Sequence, residues 1–397
     1  MFGRGIADSY LVFLLPLSAD FHWSRAGASS VYSTFLVVTG LSAPLTGMLI
    51  DRWGARVVYP LGLLLLAVAM LLAGRLSQLW QFQACIGLLG GMGVSMLGMV
   101  PASMLISRWF RDRMSTAMGV AYAGFGTGTL VIVPLAQYSI ELQGWRETYG
   151  LMGIVALALI PLLFLLPWRS IAGDSPRRTR TGTPLPETAR AWPLKEALRT
   201  RPYWQLVQVF AFTSIGMMSV LAQVVPFLVD IALTPLEAAT AFGVAGLLSV
   251  FGIMASGWFA DRIGYRATAT TSFAATFVGI ACLLLLSYAP ARWLVVPFVL
   301  FFGIAQGARG PLVASLAAKH FGGGGFATIY GTMFMCMSIG GAFGSWLSGL
   351  LYDLTGGYRA GFAFSMVCVV IAAAPFWTHQ PLRAEPRPPG ERPPRSG

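Results

Sequence analysis

The chain has 397 residues, of which 56% are hydrophobic and 11% are charged, and its formal net charge at pH 7 is +12. Charged residues make up about a quarter of a soluble domain, so this composition excludes a water-soluble globular protein and indicates a polytopic membrane protein. The charges lie in the connections between apolar runs, which indicates membrane topology and not nucleic-acid binding. The four cysteines stand singly in apolar runs, without the spacing of a metal site or a disulfide framework.

Twelve apolar stretches are predicted to be transmembrane helices, because a hydrocarbon core of about 30 Å requires roughly 20 apolar residues per helix. The first stretch is barely long enough, and we expect the natural start of the chain to lie upstream of Met1 by on the order of 10–25 residues, the length that completes a full helix. The predicted helices are residues 2–20, 28–50, 57–76, 80–107, 115–138, 147–168, 203–228, 236–259, 267–288, 292–318, 326–352 and 358–378.

A ten-residue stretch between the second and third predicted helices returns in the second half of the chain, at an offset of 210 residues. Residues 47–56 read GMLIDRWGAR and residues 257–266 read GWFADRIGYR, so five of the ten positions match. A repeat of this length predicts two related halves. The matching residues are Gly47, Asp51, Arg52, Gly54 and Arg56 in the first copy, and Gly257, Asp261, Arg262, Gly264 and Arg266 in the second.

This repeated stretch resembles the loop signature of the major facilitator superfamily, which lies between helices 2 and 3 and between helices 8 and 9. Residues 108–113 (RWFRDR) and 353–358 (DLTGGY) are similar to the monocarboxylate-porter and oxalate/formate-exchanger branch. The resemblance implies an all-α membrane protein with twelve transmembrane helices in two pseudo-symmetric six-helix bundles, with helices 1, 4, 7 and 10 around a central cavity. The family signature usually carries a basic residue where this chain has Ala55 and Tyr265.

The two halves predict four regions of the chain. Residues 1–168 are the N-terminal six-helix bundle, and residues 203–378 are the C-terminal one. Residues 169–202 are rich in Arg, Pro and Thr and are predicted to be a cytoplasmic linker. Residues 379–397 are rich in Pro and Arg, and we expect a disordered cytoplasmic tail.

The distribution of Lys and Arg predicts the orientation of the chain in the membrane. Twenty of the 27 such residues lie on the side of the signature loops, the linker and the tail, and two lie inside helices. This bias predicts a multi-pass membrane protein with both termini in the cytoplasm. Only two of the 27 residues are lysines, a preference that we interpret as that of a GC-rich bacterial genome, so the predicted location is the cytoplasmic (inner) membrane of a bacterium. The five residues on the other side are Arg25, Arg75, Arg146, Arg292 and Arg359.

Motifs of an enzyme are not found in the sequence. The three histidines, His22, His320 and His379, lie far apart, and no H-E-x-x-H, G-x-S-x-G or phosphate-binding glycine motif occurs. The four glycines of residues 322–325 are predicted to be a flexible connector. We therefore predict that the protein is not an enzyme and uses no cofactor, metal or nucleotide, so that gradients would drive transport.

Two ionisable residues lie deep in predicted helices that the resemblance places around the cavity, and such residues are expensive in a bilayer unless paired or hydrated. Arg309 in helix 10 is predicted to anchor a substrate anion, because its guanidinium is planar and permanently charged. Gln306 lies on the same helical face. The helix is predicted to be loosened there by Gly307, Gly310 and Pro311, which would expose backbone groups to the cavity. The alternative for Arg309 is a structural ion pair with Asp8 or a contact with a backbone carbonyl.

Asp8 in helix 1 is the candidate for proton coupling and a second candidate contact of the substrate. Substrate occupancy would then change its protonation. Exchange of one anion for another would need no titrating group and is the competing hypothesis. The resemblance would place a substrate-binding arginine in helix 8, where this chain has no basic residue near its end, residues 252–257. If an anion is carried, Arg309 must supply the charge.

A polar stripe in helix 7 is predicted to face the cavity. Its members follow one another in steps of three and four residues, which puts them on one helical face. Hydrogen bonds to neighbouring helices are the alternative. The stripe consists of Gln208, Phe212, Gly216, Ser219 and Gln223, and Tyr10 and Tyr122 are further candidate cavity residues.

The signature loops are predicted to form a gate. The resemblance assigns Asp51 to the start of helix 11, near Phe326, and Asp261 to the start of helix 5, near Ser115. Such contacts form only when the cytoplasmic side is closed and would favour the outward-open state. Static loop packing is the alternative. Gly47 and Gly257 would let helices approach closely, and Asp112 is expected to join Arg56 in the same cluster of charges.

Together these observations predict a secondary active transporter that moves a small organic solute, with a carboxylate favoured, by alternating access. Its partners would be the lipid bilayer, the substrate anion, and protons or a counter-anion. A proton-coupled exporter of drug-like amphiphiles is an alternative transporter function. A membrane sensor or scaffold that does not transport is the alternative from another class.

Overall fold

The computed structural model describes residues 2–23, 25–110, 113–168, 192–289 and 291–378, and almost all of these residues are helical. We number twelve long helical segments in chain order. α2 consists of two helices, bent by 45° against each other. The segments are α1 (Phe2–Phe21), α2 (Arg25–Leu41 and Ala43–Trp53), α3 (Ala55–Ala73), α4 (Leu79–Trp109), α5 (Met114–Gln143), α6 (Trp145–Leu165), α7 (Arg201–Asp230), α8 (Pro235–Ile263), α9 (Tyr265–Leu286), α10 (Arg292–Phe321), α11 (Phe326–Thr355) and α12 (Arg359–Ala373).

All twelve predicted helices are present in the described part of the chain, which contains helices and no strand. Nine segments are long and apolar enough to cross a membrane, and the bent α2 makes a tenth. α1 contains Arg4 and Asp8, and the last turns of α5 contain Gln137, Glu141 and Gln143.

The segments pack in two groups that have the same internal pattern. In the first bundle, α1 packs against α5, α2 against α4, and α3 against α4 and α6. In the second bundle, α7 packs against α11, α8 against α10, and α9 against α10 and α12. The bundles meet where α2 packs against α11 and where α5 packs against α8. Each segment of the first bundle thus corresponds to the segment six places later, as the sequence repeat predicts.

The predicted domain boundaries stay predictions, because residues 169–191 and 379–397 lie outside the described residues. The described end of the linker contains a short helix, Leu194–Ala197. Just before it, the backbone N–H of Trp192 donates a hydrogen bond to the carbonyl of Gly324, 2.9 Å away. The linker therefore ends against the connection between α10 and α11.

α4 and α10 are interrupted at equivalent positions. α4 is broken at Gly98, and α10 is broken between Gln306 and Arg309. Each break is followed by a proline, Pro101 or Pro311, and these prolines are 210 residues apart. A proline has no N–H to bond the carbonyl four residues earlier, so it weakens the helix at that point. The break that the sequence predicts in helix 10 is confirmed, and Arg309 begins the second part of α10.

The two signature loops are turns made by a single glycine. Gly54 joins α2 to α3 with φ at 75°, and Gly264 joins α8 to α9 with φ at 88°. Glycine adopts such positive φ angles without a steric penalty. We call the end of the molecule that carries these turns the signature end. It is the predicted cytoplasmic side, and the other side is called the opposite end.

Candidate functional site

The two signature aspartates bind the first turns of helices from the other bundle. Asp51 accepts hydrogen bonds from the N–H (2.8 Å) and the hydroxyl (2.7 Å) of Thr328, at the start of α11. Asp261 accepts the same two bonds from Thr116 at the start of α5, both 2.8 Å long. These N–H groups have no partner within their own helix, and the helix dipole favours a carboxylate there. The aspartates lie where the resemblance implies, and their role in gating stays a prediction.

Thr116 and Thr328 are functional candidates that the sequence reasoning missed. They are 212 residues apart, the same offset that relates Gly119 to Gly331. Extending the repeat from the signature loops into α5 and α11 would have identified the two threonines as a matched pair. Their hydroxyls let each aspartate bind a side chain in addition to the backbone.

The signature arginines of the second copy stack on aromatic rings. The guanidinium of Arg262 lies 4.4 Å from the ring centre of Trp258, and that of Arg266 lies 4.0 Å from the ring centre of Trp377. Such cation–π contacts contribute about 0.5–1 kcal/mol at exposed sites. The other residues of the predicted charge cluster are Arg52 and Arg56, which are exposed, and Asp112, which lies outside the described residues.

Gly47 and Gly257 permit backbone contact between the bundles, as predicted. A Cβ atom at Gly47 would collide with the carbonyl oxygen of Ala327, and one at Gly257 would collide with that of Ser115. Both obstacles are backbone atoms at the starts of α11 and α5, which cannot rotate away as a side chain can. The close approach of the helices at the signature end therefore requires glycine at both positions.

Replacing Gly257 by alanine is expected to oppose closure of the signature end. The added methyl group meets backbone in the closed state only, so the closed-to-open ratio falls. Distances between spin labels at the exposed residues Arg113 and Ile263, in a cysteine-free background, would measure this ratio. Gly246→Ala is the control, because nothing lies within 4 Å of a Cβ there. Equal distance distributions for both variants would contradict the prediction.

Tyr122 lies in the seam between the bundles and not on an open cavity wall. Its hydroxyl is 2.7 Å from that of Ser103 on α4 and 2.8 Å from that of Tyr330 on α11. A Cβ at Gly310, next to Arg309, would lie 3.2 Å from the Tyr122 ring. Tyr122, Ser103 and Tyr330 are all buried. This hydroxyl cluster therefore seals the molecule directly beside the break in α10.

Arg309 lies inside the second bundle, with 2% of its surface exposed. Its Nη2 atom donates to the hydroxyl of Thr276 (2.6 Å) and to the carbonyl of Ala305 (2.9 Å). The ring centre of Phe273 lies 4.8 Å from the guanidinium. The other two nitrogens, Nε and Nη1, have no hydrogen-bond partner among the described residues. The described residues thus leave this positive charge without a carboxylate.

Arg309 and Asp8 do not form the ion pair that was one alternative. Asp8 is buried in the first bundle, where the hydroxyl of Tyr32 donates to its carboxylate at 3.3 Å. The other alternative, a backbone-carbonyl contact of Arg309, is present at Ala305. Gln306 is half-buried just before the break in α10 and forms no hydrogen bond with the described residues.

Tyr10 does not face the cavity. Its hydroxyl donates to the carbonyl of Ala28 at 2.9 Å, and its ring lies parallel to that of Tyr32, with 6.1 Å between the centres. Tyr10 therefore fills the space between α1 and α2 inside the first bundle. The expectation of a cavity aromatic at this position is corrected, because the aromatic core of the bundle takes up the side chain.

The polar stripe of α7 packs against neighbouring helices, which corrects the expectation that it faces the cavity. Gln208 donates to the carbonyl of Ile371 on α12 at 2.9 Å. Ser219 lies 2.8 Å from the carbonyl of Gly344 on α11, and Gln223 lies 3.5 Å from the hydroxyl of Ser348. Small and polar residues are favoured at contacts between membrane helices, so the same pattern serves packing here.

Ser219→Ala is expected to lower the stability of the purified protein by about 1 kcal/mol, the contribution of a typical hydrogen bond, without changing substrate selectivity. Denaturant titration in detergent and competition between substrates would measure the two quantities. Ser249→Ala on α8 is the control, because its hydroxyl bonds only to its own helix, at Gly246. If Ser219→Ala selectively reduced the transport of one substrate, the stripe would have to be regarded as a binding surface.

The signature end of the molecule is closed. The bonds of Asp51 and Asp261, and that between Tyr122 and Tyr330, all join the two bundles on the side of the break in α10 that leads to this end. The glycine contacts at Gly47 and Gly257 lie in the same region. Any passage through the molecule is therefore blocked between Arg309 and the signature end.

Comparison with known proteins gives a consistent result. The sequence model of the Major Facilitator Superfamily matches residues 1–345. The chain is 29% identical to "Monocarboxylate transporter 13" of Rattus norvegicus over 90% of its own length and 81% of that protein. It is 27% identical to "Uncharacterized MFS-type transporter YcxA" of Bacillus subtilis (strain 168), over 92% and 89%.

Two solved structures share the fold. The E. coli fucose:proton symporter superposes with a TM-score of 0.72 at 16% identity, over 94% of this chain and 95% of that one. A bacterial homologue of the iron transporter ferroportin, in an outward-facing state with soaked iron, superposes with a TM-score of 0.73 at 16% identity, over 94% and 96%. The predicted fold class is thereby confirmed.

Proposed function

We propose, since the chain belongs to the Major Facilitator Superfamily and is a membrane transporter, that it carries a small organic carboxylate across the cytoplasmic membrane by alternating access. The single observation that carries the substrate class is the guanidinium of Arg309, which is buried without a described counter-charge. Monocarboxylate transporters among the relatives support the same class.

The energetics of Arg309 favour a bound anion. A charged side chain in the middle of a membrane helix costs about 2.5–3.5 kcal/mol. Here the cost rises because Arg309 begins a helix, where the helix dipole is positive and disfavours a cation. A carboxylate would supply acceptors to Nε and Nη1, which have none among the described residues. Binding would therefore relieve an existing unfavourable charge.

The position of Arg309 connects binding to the state of the gate. The next residue, Gly310, packs against Tyr122, whose hydroxyl joins the first bundle to Tyr330 of the second. A carboxylate that draws Arg309 towards the cavity would shift the start of this half-helix and disturb that contact. Substrate binding at Arg309 would then be coupled to opening of the signature end through the movement of the adjacent residue, Gly310.

The closed signature end supports an outward-facing assignment for this state, given the predicted topology. Asp51 and Asp261 each hold a helix start of the opposite bundle, and release of both would open the path to the cytoplasm. Asp8, which Tyr32 holds inside the first bundle, remains the proposed site of proton coupling. Exchange against a second anion is the competing mode and needs no role for Asp8.

The thermal stability of the purified protein against a panel of small carboxylates tests the proposed substrate class. A ligand at 100 times its dissociation constant is expected to stabilise the protein by about 2.7 kcal/mol. Flux of the same compound into proteoliposomes would then establish transport. Stabilisation by neutral or cationic amphiphiles alone would replace the carboxylate proposal with that of an amphiphile exporter.

A further inference from the structure

The signature position that usually carries a basic residue holds Tyr265 in this chain, and the structure gives this tyrosine a partner in the other bundle. Its hydroxyl is hydrogen-bonded to that of Ser115 on α5, 2.8 Å away. The hydroxyl of Ser315 on α10 lies 3.0 Å from the same serine. Lys319, also on α10, holds its ammonium 4.3 Å from the centre of the Tyr265 ring. Lys319 thus places a positive charge of α10 beside the ring of Tyr265.

The three hydroxyls are buried in the seam between the bundles. Ser115 and Ser315 are 0% exposed, and Tyr265 is 8% exposed. A buried hydroxyl without a partner is costly. The hydroxyl of Ser315 also donates to the carbonyl of Leu312 in its own helix, 3.0 Å away. The hydroxyls of Ser115 and Tyr265 bond to each other only while the bundles are together. Ser115 moves with the first bundle, whereas Tyr265 and Ser315 move with the second. Their hydrogen bonds therefore exist in the closed state and are lost when this seam opens.

The seam between α2 and α11 lacks the hydroxyls of Ser115 and Tyr265. The repeat relates Ser115 to Ala327 and Tyr265 to Ala55, at offsets of 212 and 210 residues. Both counterparts are buried, and neither of them carries a hydroxyl. The two seams thus share the aspartate contact at the helix start but differ in the hydroxyl cluster behind it.

We infer that Ser115, Tyr265 and Ser315 form a lock that holds α5 against the second bundle when the signature end is closed, and that the residues corresponding to Ser115 and Tyr265 in the α2–α11 seam form no such lock. Lys319 packs on the tyrosine ring from within the second bundle. The lock does not depend on the proposed substrate, because none of these residues contacts Arg309 in the described structure.

Tyr265→Phe tests the lock in the complete chain without substrate. The readout is the closed-to-open ratio from spin labels at Arg113 and Ile263, in a cysteine-free background. Loss of one such hydrogen bond is expected to lower this ratio about 3- to 10-fold. Tyr59→Phe is the matched control, because Tyr59 lies in the first turns of α3, stacks on Trp168 and bonds to no described residue.

Ser315→Ala gives an independent measurement with a smaller change of shape. It is also expected to lower the closed-to-open ratio. In the double variant with Tyr265→Phe, the change in the free energy of closure should be smaller than the sum of the two single changes, because both residues act through Ser115. An unchanged ratio in Tyr265→Phe and Ser315→Ala would overturn the lock. Equal shifts in Tyr265→Phe and Tyr59→Phe would overturn it as well, since they would reflect general loosening.

Discussion

Replacing Arg309 by methionine is expected to weaken carboxylate binding about 10- to 100-fold, because a hydrogen bond to a charged group contributes about 1.5–3 kcal/mol. Transport of the carboxylate should fall by a similar factor. The loss would be measured as the ligand concentration that gives half of the maximal thermal stabilisation. Arg309→Lys should recover only part of the affinity, because an ammonium lacks the planar fork of the guanidinium.

The same substitution is expected to raise the stability of the protein without ligand. Methionine has a similar length and removes a buried charge that no described carboxylate neutralises. A structural arginine would give the opposite sign, so the direction of the shift separates the two roles. The sign of the change in stability would be measured by thermal denaturation of the unliganded variant and the parent in detergent.

Arg359→Met is the matched control for Arg309. Arg359 also donates to a backbone carbonyl, that of Ser287 at 2.8 Å, and also stacks on a ring, that of Tyr288 at 4.1 Å. It lies at the opposite end of the molecule and is exposed. An equal loss of carboxylate affinity in both variants would remove Arg309 as the anchor, and a loss of stability in Arg309→Met would make it a structural residue.

Replacing Asp51 and Asp261 by alanine is the second change with a large expected effect. Each substitution removes two charge-assisted bonds at a helix start, so each is expected to lower the closed-to-open ratio about 10- to 100-fold. The double variant should occupy the open state almost completely and transport slowly, because it returns rarely to the closed state. Spin labels across both seams would measure the populations.

Asp230→Ala provides the control at the opposite end. Asp230 accepts a bond of 2.6 Å from the hydroxyl of Tyr358, between segments of the same bundle. Its removal should leave the populations at the signature end unchanged. If Asp51→Ala leaves the ratio as it is in the parent, static loop packing is the better description of the signature.

The architecture could be predicted from the sequence because few physical rules determine it. Apolar runs of membrane length specify the helices, and the repeat of residues 47–56 at 257–266 relates the two bundles. The break in α10 follows from Gly307 and Pro311. The matching break in α4 was missed, although Gly98 and Pro101 carry the same signal.

The orientation of the polar residues could not be predicted in the same way. In a membrane helix, a face that contacts another helix and a face that lines a cavity both attract small and polar residues, so periodicity does not distinguish them. Ser219 and Gln208 therefore seemed to point to the cavity and instead bond to α11 and α12. Two partners of Arg309, Thr276 and Phe273, come from α9. Thr268, Ser272 and Thr276 follow one another in steps of four residues on α9, but this stripe does not indicate by itself that it faces α10.

The single-glycine turns have a mechanical consequence for how the bundles move. With one residue between α2 and α3, and one between α8 and α9, the chain at Gly54 and Gly264 has no slack. The end of α2 and the start of α3 therefore have to move together, and so do the end of α8 and the start of α9, because one residue spans at most about 3.6 Å. Glycine still permits the angle between the joined helices to change. A displacement of Asp51 or Asp261 is thus passed to the start of the next helix in the same bundle.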